Sequence, residues 1–199
     1  MAIASLRAKA NYSKGMRNVQ IAHKLIDSES ARHLREACRN FETANRLNPE
    51  DVNTLHQWGL ALYELALVSD GKKAKELYKR AGEKFHSAAI KDVESAGILN
   101  DWGATLLAQA RNASPDKSTE LKHEALEKFK ESEARNPGLA AYNLACVYST
   151  QGDMQQCQEF LSIAKEKGFL PPKAHLESDP DLANAHEQEW FKALQAELD

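Results

Sequence analysis

The chain is most informative at first through what it has little of. Among 199 residues there are three cysteines, six prolines and nine glycines. Cys38, Cys146 and Cys157 are too few and too irregularly spaced for a disulfide framework, which points to a reducing compartment. Scarce proline and glycine beside plentiful alanine, leucine, glutamate and lysine favour helix. No run approaches the ~18–20 apolar residues of a membrane span, so membrane insertion is not expected. No secretory signal is visible. A basic surplus is missing too: the net charge is −3, which argues against a nucleic-acid binder. Metal-ligand spacings are absent, with no C-x2-C and no H-E-x-x-H, and no glycine loop could cradle a phosphate. His23 and His33, with nine residues between them, read as surface residues across a turn. Carboxylates are common but are matched by lysines along helix faces, as in Glu124 and Lys128. No catalytic residue, metal or cofactor is expected, and the chain is read as a non-enzyme.

What is present is self-similarity. A shift of 44 places Leu55 on Leu99, Trp58 on Trp102, Gly59 on Gly103, Leu62 on Leu106 and Ala66 on Ala110. The same shift places Leu77 on Leu121, Ala81 on Ala125, Lys84 on Lys128 and Phe85 on Phe129. Moving back by another 44 brings Gly15, Ala22, Ala37, Phe41 and Ala44 into register. A fixed period of this size signals a solenoid. Within each unit apolar residues recur at three and four, first over Leu55 to Leu65 and then over Leu77 to Ala88. That spacing is one helix face, twice. Ser69-Asp70-Gly71 and Ala113-Ser114-Pro115-Asp116 supply the turns between. Each unit is a helical hairpin with arms of about 30 Å.

Helical breakers such as Gly59 and Gly103 cost about 1 kcal/mol each relative to alanine. Their recurrence implies a close approach of the two helices there, with Trp58 and Trp102 plugging the space between hairpins. Cys38 and Cys157, at or beside the small-residue place of the second helix, read as buried hydrophobes.

The second-helix string Ala37…Phe41…Ala44…Pro49, repeated as Ala125…Phe129…Ser132…Pro137, resembles the tetratricopeptide repeat (TPR) family. A fourth unit, Tyr142 to Tyr148, a turn at Gln151-Gly152-Asp153, then Cys157 and Ala164, resembles it at the family's ordinary length of ~34 residues. Units two and three are ten residues longer, and swap the large and small positions to L-x2-W-G-x2-L. The string Trp58-Gly59-Leu60-Ala61-Leu62-Tyr63-Glu64-Leu65 resembles the long-hairpin TPRs of plant mitochondrial import receptors, although the membrane anchor expected of such a receptor is not visible. The resemblance implies an all-α fold. It is a right-handed α-α solenoid, a TPR-like superhelix of four hairpins plus a C-terminal capping helix, in a single domain over 1–199. The units fall at 8–49, 52–93, 96–137 and 138–170, and the capping helix, with Leu182, Trp190, Phe191 and Leu194, at 179–198.

In this family the first helices line a concave groove that takes a peptide or helix of a partner protein. Register from the hairpin glycine assigns its positions. Three before it come Tyr12, His56, Asn100 and Tyr142; one after it Met16, Leu60, Ala104 and Cys146; four after it Val19, Tyr63, Leu107 and Ser149. Chaperone-binding TPRs grip a C-terminal carboxylate with lysine, arginine and asparagine. Here Tyr12, Met16, Gln57 and Asp101 stand in those places and only Asn143 fits, so a chaperone tail is not the expected ligand. The expected role is a cytoplasmic adaptor that binds a protein segment. A self-assembling scaffold, with a second copy as partner, is one alternative. The other is an organellar, for example mitochondrial, import component, suggested by the acid-free start that holds Arg7, Lys9, Lys14, Arg17 and Lys24.

Overall fold

A computed structural model describes residues 2–111 and 113–198; Asn112, at the tip of the expected 96–137 unit, and the two terminal residues lie outside it. The described residues form helices and turns, with no strand among them. Four hairpins follow one another: α1 (Ala2–Ala22) with α2 (Asp27–Leu47), α3 (Val52–Leu67) with α4 (Gly71–Lys91), α5 (Ala96–Ala110) with α6 (Pro115–Arg135), and α7 (Ala141–Gln151) with α8 (Met154–Glu166). Each hairpin packs on the next through α2 on α3, α4 on α5 and α6 on α7. The chain is an all-α, TPR-like solenoid.

The period of 44 is written into the backbone as well as the side chains. The second helices α2, α4 and α6 are each 21 residues long, preceded by the extended residues Ile26, Asp70 and Ser114. They stop at Asn48, Asp92 and Asn136, where φ is −143°, −130° and −138° and the backbone N–H donates to the carbonyl four residues back. Short polar residues suit such ends because they tolerate non-helical dihedrals. The first helix begins at Ala2, ahead of the unit boundary expected at residue 8.

The interior glycines have a measurable cause. A Cβ on Gly15 would lie 2.6 Å from the Phe41 ring, on Gly59 2.7 Å from Phe85, and on Gly103 2.6 Å from Phe129. Each phenylalanine is fully buried on the second helix of the same hairpin. Burying a ring of that size is worth ~1.5–3 kcal/mol, more than the helical cost of glycine. The fourth hairpin solves the same problem differently: Ala145 and Leu161 take the two places, both fully buried. Trp58 is buried and Trp102 half-buried, the latter edge-on to His86 of the preceding hairpin at 5.3 Å. Lys84 and Lys128 lie over these indoles at 4.3 and 4.9 Å from the ring centroids, a cation–π contact that also repeats at 44.

The C-terminal segment differs from the single helix expected over 179–198. It is built of three short pieces: α9 (Lys173–Ser178), a 3-10 turn (Pro180–Ala185) and α10 (Glu189–Ala196). The expected span is broken before α10 by Gln188, extended at φ −80°, ψ 132°, and the 3-10 turn is separated from α9 by Pro180. Its ring disfavours helical dihedrals at the residue before it, and Asp179 is extended at φ −74°, ψ 112°. The Asp179 carboxylate then accepts from the Asp181 N–H at 2.9 Å and starts the 3-10 turn. Leu176, Leu182, Ala185 and Phe191 are fully buried against the last hairpin, so the segment still closes the solenoid.

Candidate functional site

The first helices α1, α3, α5 and α7 lie side by side and are joined by one polar link at each junction. His23, in the turn just after α1, meets Glu64 on α3 at 2.9 Å, His56 on α3 meets Asp101 on α5 at 2.7 Å, and the Asn143 amide of α7 donates to Asn100 of α5 at 2.8 Å. Asp101 is thus paired with a histidine, and Asn143, the one residue compatible with a carboxylate clamp, is tied to Asn100.

The positions expected to face a partner separate into two groups. Tyr12, Met16, His56, Leu60, Tyr63, Asn100, Ala104 and Leu107 are half-buried, and Val19 is buried. Tyr12 and His56 pack on the buried rings Phe41 and Phe85 of their own hairpins, at 5.9 and 5.8 Å between centroids. Tyr63 leans on Tyr78 of α4 at 5.7 Å. These side chains are anchored on one side and open on the other, over three adjoining helices.

Tyr142 and Cys146 belong to the second group, because the C-terminal segment covers them. The Tyr142 hydroxyl donates to Asp179 at 2.6 Å, and the Cys146 thiol points at the same carboxylate at 3.6 Å. Burial first, then the Cys146 thiol and the Asp179 carboxylate, holds the Tyr142 phenol protonated far above its usual range. Ser149, also assigned to the lane, is fully buried, and its carbonyl accepts from the Asn184 amide at 2.8 Å. Beside them Arg111 pairs with Asp181. Burial disfavours the Arg111 charge, yet Asp181 more than compensates and raises its pKa. The segment therefore ends the open lane at α7. Register could not show this: Asp179 and Asp181 fall at the start of the expected capping helix, and no local pattern pairs them with Tyr142 and Arg111.

The thiols of Cys38 and Cys157 are pushed up to about 12, each chiefly by burial. Among the described residues no group of three histidine, cysteine or carboxylate side chains is placed to hold a metal ion. No described helix is long and apolar enough to cross a membrane.

Hairpins built on a repeated glycine–phenylalanine contact, with their first helices forming one continuous face, define a TPR-like helical-repeat protein. The fold is similar to that of MamA, with a TM-score of 0.54 over 87% of this chain and 96% of that one; at 18% identity the likeness is one of fold alone. A family model described as the plant-specific mitochondrial import receptor subunit TOM20 matches residues 28–152. That span, from α2 to the end of α7, exceeds half the chain, and the chain belongs to this family. No curated protein gives a significant match.

Proposed function

We propose that the chain is a non-catalytic protein-binding subunit that takes a helix or extended segment of a partner along the open face of α1, α3 and α5. The observation that carries this reading is the lane itself. Apolar and amphipathic side chains, Met16, Leu60, Tyr63 and Leu107 among them, are fixed from behind and left half-exposed in front. Such rigid, partly desolvated anchors are what concentrates binding energy at an interface. Tyr142 and Cys146 are not part of this lane, since the chain's own C-terminal segment already occupies them.

Membership of a family named for mitochondrial import receptors favours a role in protein import, and a mitochondrial over a cytoplasmic location. An adaptor and an import component need the same binding face, so one experiment serves both. A Leu60→Glu/Leu107→Glu variant, shown to be folded by circular dichroism, is compared with the unaltered chain in capture of partners from mitochondrial and cytosolic fractions. The reading expects a partner retained by the unaltered chain and lost by the variant, recovered from the mitochondrial fraction. Identical captures by the two proteins would remove the lane from the function.

A further inference from the structure

The unit length changes once along the solenoid, and the change leaves a step. Ala125 of α6 and Cys157 of α8 hold the same register, as do Phe129 and Leu161, and all four are fully buried. Helix α6 begins at Pro115, ten residues before Ala125, whereas α8 begins at Met154, three before Cys157. Helix α6 therefore runs seven residues, about 10 Å, beyond the start of α8. In the preceding hairpins α2, α4 and α6 start at equivalent positions 44 apart, so each is flanked by a helix of equal length. Only the first two turns of α6 project past the next hairpin.

A cavity of about 420 Å³ lies under this overhang. Ser118 and Lys122 face it from α6, Leu107 and Arg111 from the end of α5, Val147 from α7 and Asp181 from the C-terminal segment. Leu107, Ala110 and Val147 give it aliphatic surface, beside polar Thr150 and Gln151. Arg111 and Asp181 neutralise one another, and Lys122 supplies the surplus charge. Other lysines of α6 are paired along the helix: Lys117 with Glu120, Lys128 with Glu131 and Lys130 with Glu127. Lys122 has no carboxylate three or four residues away on its helix, where Ser118, Thr119, Ala125 and Leu126 stand. No ion pair is formed by it among the described residues.

The adjoining C-terminal segment shows what chemistry this corner accepts. Its Asp179-Pro180-Asp181-Leu182 stretch sets one carboxylate on Tyr142, the next on Arg111, and buries the leucine completely. We propose that the cavity under the α6 overhang is a docking site for an acidic, aliphatic segment of a partner protein. A carboxylate pairs with Lys122, and a leucine-like side chain covers Leu107 and Val147. The proposal rests on the reading of the first-helix face as the binding face, and it names the chemistry of the ligand at its closed end. Arg-rich amphipathic targeting segments would meet Lys122 with like charge and are not the ligand of this cavity.

The test is an amide NMR titration of the full chain with three acetylated, amidated octapeptides: one alternating aspartate and leucine, one with asparagine for aspartate, and one with arginine for aspartate. The acidic peptide is expected to shift the amides of Ser118–Lys122 and Val147–Gln151, and to bind about fivefold more weakly to Lys122→Glu, the scale of one exposed ion pair. The Leu60→Glu variant keeps this response, because Leu60 lies outside the cavity. Silence at those amides, equal binding of the arginine peptide, or indifference to Lys122→Glu would overturn the proposal. Partner capture lost with Leu60→Glu alone while the cavity is silent would sink the cavity alone; a responding cavity with capture unchanged by Leu60→Glu would sink the lane alone.

Discussion

At the scale of single residues, the fold turns on a contact made three times. Gly15, Gly59 and Gly103 admit Phe41, Phe85 and Phe129, and the fourth hairpin replaces the pair by Ala145 and Leu161. This makes a direct prediction. Gly103→Ala forces a Cβ to 2.6 Å from a ring that is buried on every side, and overpacking of this kind costs ~1–3 kcal/mol, exceeding the ~1 kcal/mol of helix propensity gained. Phe129→Leu alone leaves a cavity. Combined, the two substitutions copy the fourth hairpin, and urea unfolding is expected to show the double variant more stable than the sum of the single effects requires; strict additivity would mean the residues do not share one space. The thiols make a second prediction. Burial pushes Cys38 and Cys157 up from their ordinary 9.0 to about 12, and Cys146 higher still. In the unfolded chain these thiols ionise above pH ~9, whereas the native state keeps their protons. Their contribution is complete below about pH 9 and declines as pH rises from there toward 12. A melting-temperature series from pH 7 to 10.5 should fall above pH 9, and a Cys38→Ala/Cys157→Ala variant should fall less. The glycine signal was legible in the sequence because three copies of one contact repeat at one spacing. The burial of single cysteines was legible for the same reason.

At the scale of elements, the hairpins follow from apolar periodicity and from turn residues, and the starts of α4 and α6 fall where Gly71 and Pro115 announce them. The closing segment was less legible. Leu182, Phe191 and Leu194 suggested one helix, but the span opens as a 3-10 turn that ends ahead of the extended Gln188, and that turn brings Asp179 and Asp181 onto α7 and α5. Contacts spanning 37 and 70 residues have no local spacing to betray them. If Tyr142 is a fastener of this segment, Tyr142→Phe removes the hydroxyl from a mostly buried carboxylate and costs ~1–3 kcal/mol. Partner binding on α1, α3 and α5 is expected to survive. Thermal unfolding read beside partner capture separates the roles: lost capture with unchanged stability would return Tyr142 to the binding lane.

At the scale of the whole molecule, charge is segregated. Helix α1 and the turn after it carry Arg7, Lys9, Lys14, Arg17 and Lys24 before any acid; taking these five cations from the net charge of −3 leaves −8 on the rest of the chain. The outer side of α1 exposes Ile3 at 76% and Leu6 at 70%. Two aliphatic side chains fall far short of the ~1,000 Å² that a stable protein interface buries. Light scattering across a micromolar concentration series is therefore expected to give the mass of one chain; growth with concentration would support the scaffold reading instead. The family match begins at residue 28 and so leaves α1 outside it. Legibility at this scale was mixed. Register assigns the proposed lane to the first helices, but where that face is covered depends on the C-terminal segment, and the step at α6 depends on helix starts that sequence fixes only to within a turn.

The most direct test of the account is a photocrosslinking amino acid placed at Leu60, in the middle of the lane, and in a matched protein at Lys79 on α4, with both proteins offered the same mitochondrial extract. The account predicts a discrete partner adduct from position 60 and none from position 79. Adducts from position 79 alone, or equal adducts from both, would contradict it and move recognition to the second helices.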